Sequence, residues 1–228
     1  MKTYLSECLG TFALVFCGTG AIVINDLSEG IVTHLGIGIT FGLIVMSMIY
    51  TFGDISGAHL NPAVTFAFWF AGRFPLHKVF PYILSQLIGA AMASGLLKYL
   101  FPDHLTLGAT LPTGPPLQSF LLEIILSLLL MQVILHVATG PNEKGITAGA
   151  AIGAVVMLEA IFAGPISGAS MNPARSLAPA IMTSNLNHQW IYLLAPLIGS
   201  CLAVLFCRCV KNNDCCPMVS SCCTAKNP

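Results

Sequence analysis

The sequence predicts an all-α membrane protein with six transmembrane helices and two half-helices, arranged as an inverted repeat. Three observations predict this fold: a shortage of charge, long apolar runs and an internal duplication. Only 8% of the 228 residues are charged and 56% are hydrophobic, whereas soluble domains contain about 25% charged residues. Basic and acidic residues balance at nine each, which leaves no basic surface for nucleic acid. Nucleic-acid-binding, collagenous and disordered classes are therefore excluded.

Six apolar segments are long enough to cross a bilayer, which takes about 20 residues. We predict the spans at 4–24, 34–53, 78–100, 117–138, 146–164 and 189–209. Two shorter apolar stretches, 61–72 and 172–183, each begin with Asn-Pro. Asparagine favours the N-cap of a helix and proline its first residue. Each stretch would be about 16–18 Å long at ~1.5 Å per residue, so we predict two half-helices that start near mid-membrane.

The chain also repeats itself. Shifted by 111 positions, it shows twelve ungapped identities, which include the motif SGAxxNPA at 56–63 and 167–174. At a slightly different offset, Glu7 matches Glu123. Each half contains three predicted spans, and an odd number of crossings inverts the second half relative to the first.

We therefore expect one membrane domain over 1–210, made of inverted repeats at about 1–105 and 110–210, and a cytoplasmic Cys-rich tail at 211–228. Placing both termini in the cytoplasm follows the positive-inside rule. Seven of the nine Lys and Arg residues then lie on the cytoplasmic side: Lys2, Arg73, Lys78, Lys144, Arg208, Lys211 and Lys226.

Inversion directs the two half-helices at each other from opposite sides of the membrane. Each helix N-terminus carries about half a positive charge, so two facing N-termini repel cations and protons. Asn61 and Asn172 can donate hydrogen bonds to a passing oxygen, and the unwound segments that begin at Gly57 and Gly168 offer carbonyl acceptors. Together these groups predict a pore for neutral, hydrogen-bonding solutes.

One cation lies inside the second half-helix. Arg175 follows Asn172 by three residues, whereas Val64 occupies the equivalent position after Asn61. A spacing of three places two side chains on one helix face, and an arginine at membrane depth is by default functional. We expect Arg175 to repel cations and to donate hydrogen bonds to solute oxygens.

A family resemblance rests on one arginine and two Asn-Pro-Ala motifs, which we call boxes. These residues are Asn61, Pro62, Ala63, Asn172, Pro173, Ala174 and Arg175. They resemble the aquaporin and glycerol-facilitator (major intrinsic protein) family over residues 1 to about 210, and the run 163–180 resembles nodulin-26-like intrinsic proteins and their bacterial relatives. The resemblance implies a passive channel rather than an enzyme, assembled as a homotetramer with one pore per subunit. It also implies that the protein is surrounded by lipid in a plasma membrane or a bacterial inner membrane. The resemblance implies no cofactor and no bound metal.

By motif position, the resemblance implies a selectivity filter made of Phe41, Ala160, Ala169 and Arg175. Water-selective members usually have histidine at the position of Ala160, so a filter with alanine there is wider and more apolar. We therefore expect passage of water, glycerol, and urea or metalloid acids, with exclusion of protons and ions.

Five residues are expected to line the pore or support its loops: Gly57, His59, Gly168, Glu7 and Glu123. The resemblance implies that Glu7 and Glu123 hydrogen-bond the backbone before each box. His59 either lines the inner vestibule, which we favour, or gates the pore with pH. For Glu159, a polar contact that supports the broken loop is favoured over a filter role.

The sequence leaves two questions open. A secondary transporter with inverted repeats and discontinuous helices is the alternative function, although few carboxylates lie within the spans to carry a coupling ion. The tail cysteines are candidates for palmitoylation, for binding a soft metal or arsenite, or for remaining free thiols.

Overall fold

The computed structural model describes residues 1–138 and 146–210, except for the side chain of Ile146, and forms eight helices within them. In chain order they are α1 (Lys2–Leu27), α2 (Thr33–Ser56), α3 (Pro62–Phe70), α4 (Leu76–Leu100), α5 (Pro116–Val137), α6 (Ile146–Ser167), α7 (Pro173–Met182) and α8 (Gln189–Val210). Six of these are long and apolar enough to cross a membrane. The predicted fold class is confirmed, while the Cys-rich tail lies outside the described residues.

The half-helices α3 and α7 begin where the sequence predicts. The side-chain oxygen of Asn61 accepts a hydrogen bond from the Ala63 N–H at 2.8 Å, and that of Asn172 accepts one from the Ala174 N–H at 3.0 Å. Both asparagines have extended backbone, and proline follows as the first helical residue. Nine and ten residues give lengths of about 14–15 Å, too short to span a bilayer.

Glycines set the helix crossings, and they do so in pairs related by the repeat. A Cβ on Gly89 of α4 would overlap the backbone carbonyl of Cys8 in α1, and a Cβ on Gly199 of α8 would overlap that of Ile124 in α5. Small residues let membrane helices approach closely without a hydrophobic driving force. The same contact therefore fixes α4 on α1 in one half and α8 on α5 in the other.

The two halves meet where α2 packs against α6. A Cβ on Gly42 would lie 2.6 Å from the Gly153 carbonyl, and a Cβ on Gly153 would lie 2.6 Å from the Gly42 carbonyl. These glycines are 111 positions apart, so repeat-related residues contact each other. This reciprocal contact is the geometry expected of two halves related by inversion.

Candidate functional site

Two unwound loops lead into the half-helices and share one backbone shape. In the first, Gly57, Ala58 and Leu60 have φ of 84°, 46° and 52°. In the second, Gly168, Ala169 and Met171 have φ of 83°, 41° and 53°. Non-glycine residues rarely adopt the left-handed region, and such a conformation persists only where surrounding groups hold it.

Buried carboxylates hold both loops. Glu7 Oε1 accepts from Ser56 Oγ at 2.7 Å and from the His59 N–H at 2.9 Å, and Oε2 accepts from the Leu60 N–H at 2.8 Å. Non-helical backbone at membrane depth needs such partners because no lipid group can supply them. The interaction that the resemblance implies for Glu7 is thus present in the geometry.

Glu123 makes the repeat-related contacts. Its Oε1 accepts from Ser167 Oγ at 2.7 Å and from the Ser170 N–H at 2.8 Å, and its Oε2 accepts from the Met171 N–H at 2.8 Å. The Glu123 side chain has no exposed surface. Each loop is therefore shaped by its own buried carboxylate, which accepts hydrogen bonds from two backbone N–H groups and one serine hydroxyl.

Further polar side chains support the loops. The hydroxyls of Tyr82 and Tyr192 donate to the Ser56 and Ser167 carbonyls, each at 2.8 Å. Gln86 donates to Glu7 at 2.8 Å. The two tyrosines are not among the predicted site residues, although they lie 110 positions apart and match each other when the two halves are compared at that offset.

The two asparagines join the loops at their meeting point. Asn61 Nδ2 donates to the Met171 carbonyl at 2.8 Å, and Asn172 Nδ2 donates to the Leu60 carbonyl at 2.9 Å. Each amide thus directs one hydrogen to the opposite loop. Half of their donor capacity therefore fixes the two loops together, and donation to a passing oxygen by the remaining hydrogens stays a prediction.

Both asparagines line a cavity of about 490 Å³. Its lining includes eight predicted site residues: Phe41, Gly57, His59, Asn61, Ala160, Ala169, Asn172 and Arg175. Seven others lie behind the lining, where they form the half-helix starts or the loop supports: Glu7, Pro62, Ala63, Glu123, Gly168, Pro173 and Ala174. Gly168 packs instead against Thr110, whose Cγ2 would lie 2.9 Å from an added Cβ.

Arg175 is only 2% exposed, yet it lines the cavity. Its Nη1 donates to the Gly108 carbonyl at 2.8 Å, and its guanidinium carbon lies 5.1 Å from the centroid of the Phe41 ring. A Cβ on Gly18 would overlap that ring, so Gly18 provides the space for Phe41. Gly108 is not among the predicted site residues, because a backbone carbonyl leaves no side-chain signature in the sequence.

His59 lies in an aromatic pocket at the cavity wall. Its ring centroid is 4.7 Å from that of Phe68, 4.9 Å from that of Phe74 and 5.2 Å from that of Tyr82. Its Nδ1 lies 3.2 Å from Thr65 Oγ1. This packing is consistent with a lining role, and gating by His59 stays a hypothesis.

Glu159 differs from the other two buried glutamates. It is 1% exposed, and neither carboxylate oxygen has a hydrogen-bond partner among the described residues. The structure therefore does not give it the expected contact with the broken loop. Within residues 1–138 and 146–210, no group of three His, Cys, Asp or Glu side chains is placed to hold a metal ion.

Comparison with known proteins places this geometry in a family. The model of the family described as "Major intrinsic protein" matches residues 1–207. The chain belongs to this family. Aquaporin NIP1-1 from Zea mays is 46% identical over 201 residues, which cover 88% of this chain and 71% of the relative. Nodulin-26 from Glycine max is 44% identical over 201 residues, 88% of this chain and 74% of the relative.

A solved structure agrees with the family assignment. The aquaglyceroporin from Plasmodium falciparum superposes with a TM-score of 0.84 at 26% identity, covering 92% of this chain and 96% of that one. This major intrinsic protein is accordingly an integral membrane protein and a passive channel for water and small solutes. The alternative of a secondary transporter is not favoured.

Proposed function

We propose that this major intrinsic protein conducts water and uncharged solutes of glycerol size through a constriction formed by Phe41, Ala160, Ala169 and Arg175. The observation that carries the proposal is that all four residues line the same cavity as Asn61 and Asn172. Two of the four, Ala160 and Ala169, contribute only a methyl group to the wall. The constriction therefore leaves room for a solute carbon skeleton beside the donors of Arg175. We assign the chain no catalytic activity.

The solute range follows from the chemistry of the lining. Phe41 and the two alanines offer apolar surface for a carbon backbone, and Arg175 offers donors for hydroxyl or carbonyl oxygens. The likeness to an aquaglyceroporin supports glycerol as a solute. Urea and metalloid acids are further candidates because they are small, uncharged and rich in hydrogen-bonding groups.

Purified protein in liposomes is expected to produce osmotic water flux with a low activation energy, because water crosses through the cavity past hydrogen-bonding groups rather than through lipid. Stopped-flow light scattering over a range of temperatures measures it. Protein-free liposomes and an Ala160→Trp variant, whose indole would fill the constriction, serve as controls. An activation energy equal to that of protein-free liposomes would contradict a water pore.

Ala160→His is expected to reduce glycerol permeability about tenfold more than water permeability. The imidazole would occupy the space that admits the carbon skeleton, and a pocket contact of this size is worth about 1–3 kcal/mol. Ala160→Ser, which keeps the side chain small, is the matched control and retains the wild-type ratio. Equal losses of water and glycerol flux in the histidine variant would show that Ala160 is not in the filter.

We also propose that both termini are cytoplasmic, in a plasma or bacterial inner membrane. Among the described residues, Lys2, Arg73, Lys78 and Arg208 then share the cytoplasmic side, as the positive-inside rule favours. We infer a 1–210 channel domain of two repeats, a 211–228 tail, and assembly as a homotetramer. Large apolar side chains exposed on the long helices, such as Leu43, support contact with lipid or a neighbouring subunit.

A further inference from the structure

The connection between α4 and α5 contains a histidine that is held through both ring nitrogens. His104 Nε2 lies 3.3 Å from Asp26 Oδ2, and the histidine side chain is 7% exposed. Its Nδ1 accepts from the Leu107 N–H at 3.0 Å and from the Thr106 N–H at 3.4 Å. An Nδ1 that accepts carries no proton, so the neutral ring holds its proton on Nε2, where it faces Asp26.

From His104 onwards, the connection follows one stripe of α1. Three points along the helix face the connection in order: Thr19 lies against Gly108, Val23 shares a buried apolar cluster with Leu107 and Leu97, and Asp26 faces His104. Spacings of four and three keep residues on one helix face. A Cβ on Gly108 would lie 2.9 Å from that of Thr19, and Leu107 is fully buried. The segment is thus fixed at both ends and in the middle.

The far end of this segment contacts the constriction. Leu107 and Gly108 both have left-handed backbone, with φ of 49° and 70°, and the Gly108 carbonyl accepts from Arg175 Nη1 at 2.8 Å. Arg175 Nε has no partner among the described residues, so this carbonyl restrains the guanidinium against the wall.

We propose that His104, oriented by Asp26, is a positioning residue for Arg175 and thereby sets which solutes pass, a role that rests on the proposed constriction. The Nδ1 acceptor stabilises the left-handed turn at Leu107 and Gly108, and that turn aims the carbonyl at Arg175. Without the acceptor the turn relaxes and the guanidinium moves into the lumen. Glycerol passage then falls more than water passage, because glycerol needs the larger opening.

The test compares glycerol and water permeability in liposomes that hold the full chain, at equal internal and external pH. Because both fluxes use the same pores, their ratio does not depend on how many channels fold. His104→Ala is expected to lower the ratio about threefold, the effect of one hydrogen bond. His104→Asn is expected to restore it, because the asparagine oxygen accepts from an N–H two residues ahead. The exposed His77 supplies the control His77→Ala, which keeps the ratio.

A His104→Ala variant that keeps the wild-type ratio, or an asparagine variant that matches His104→Ala, would overturn the positioning role. Arg175→Ala separates the two proposals: if it changes the ratio and His104→Ala does not, this inference alone fails. If neither changes the ratio, the proposed constriction fails.

Discussion

Arg175→Ala is expected to raise urea permeability relative to water about tenfold and to admit small cations. The guanidinium lines the cavity, donates to the Gly108 carbonyl and lies 5.1 Å from the Phe41 ring centroid. Its removal widens the passage and also deletes a fixed positive charge at membrane depth, where charge is poorly screened. A tenfold change corresponds to about 1.4 kcal/mol, which is less than the free energy that a hydrogen bond to one buried charged group contributes.

Two variants separate the causes of that change. Arg175→Lys keeps the charge but loses the planar set of donors, so cations stay excluded while urea selectivity weakens. Val64→Ala removes two methyl groups from the cavity wall at the repeat-related position and is expected to leave both properties unchanged. Stopped-flow urea uptake and a cation-sensitive dye inside liposomes measure the two quantities. Unchanged values for both in Arg175→Ala would show that Arg175 is not at the constriction.

The fold is predictable from sequence where local chemistry determines it. The Asn-Pro starts of the half-helices are visible because capping needs only the adjacent residues. The ends of two spans are less visible: we predict them at 53 and 164, but α2 and α6 continue to Ser56 and Ser167. Gly164 remains helical, and its missing side chain makes room for His34, whose Cε1 would lie 2.8 Å from a Cβ. The glycines that end these helices are Gly57 and Gly168.

The candidate site is less predictable where backbone groups and distant contacts build it. Arg175 is visible as a charge in an apolar run, but its acceptor is the Gly108 carbonyl, 67 positions away. Likewise, the repeat identifies Asn61 and Asn172, but not that each donates to the carbonyl preceding the other. A carbonyl has the same chemistry in every residue, so only the folded chain shows which one an amide reaches.

The buried glutamates show most clearly what the sequence leaves undetermined. Glu123 and Glu159 are both buried, but only the Glu123 carboxylate accepts hydrogen bonds from described residues. Glu123→Leu is expected to destabilise the channel by about 2–6 kcal/mol, since each of two orphaned buried N–H groups costs about 1–3 kcal/mol. These are the Ser170 and Met171 donors that shape the second loop. The same variant should lose water flux, because an unrestrained loop no longer presents Asn172 to the lumen.

Glu159→Leu is the matched control, since it deletes a buried carboxylate that has no hydrogen-bond partner among the described residues. Removing an unpaired buried polar group relieves its desolvation cost, so this variant is expected to be as stable as the wild type or more stable. Thermal unfolding in detergent, followed by circular dichroism, compares the two. Equal melting temperatures for Glu123→Leu and Glu159→Leu would contradict the bracing role of Glu123. A large loss in Glu159→Leu would mean that its carboxylate has a stabilising partner beyond the described side chains.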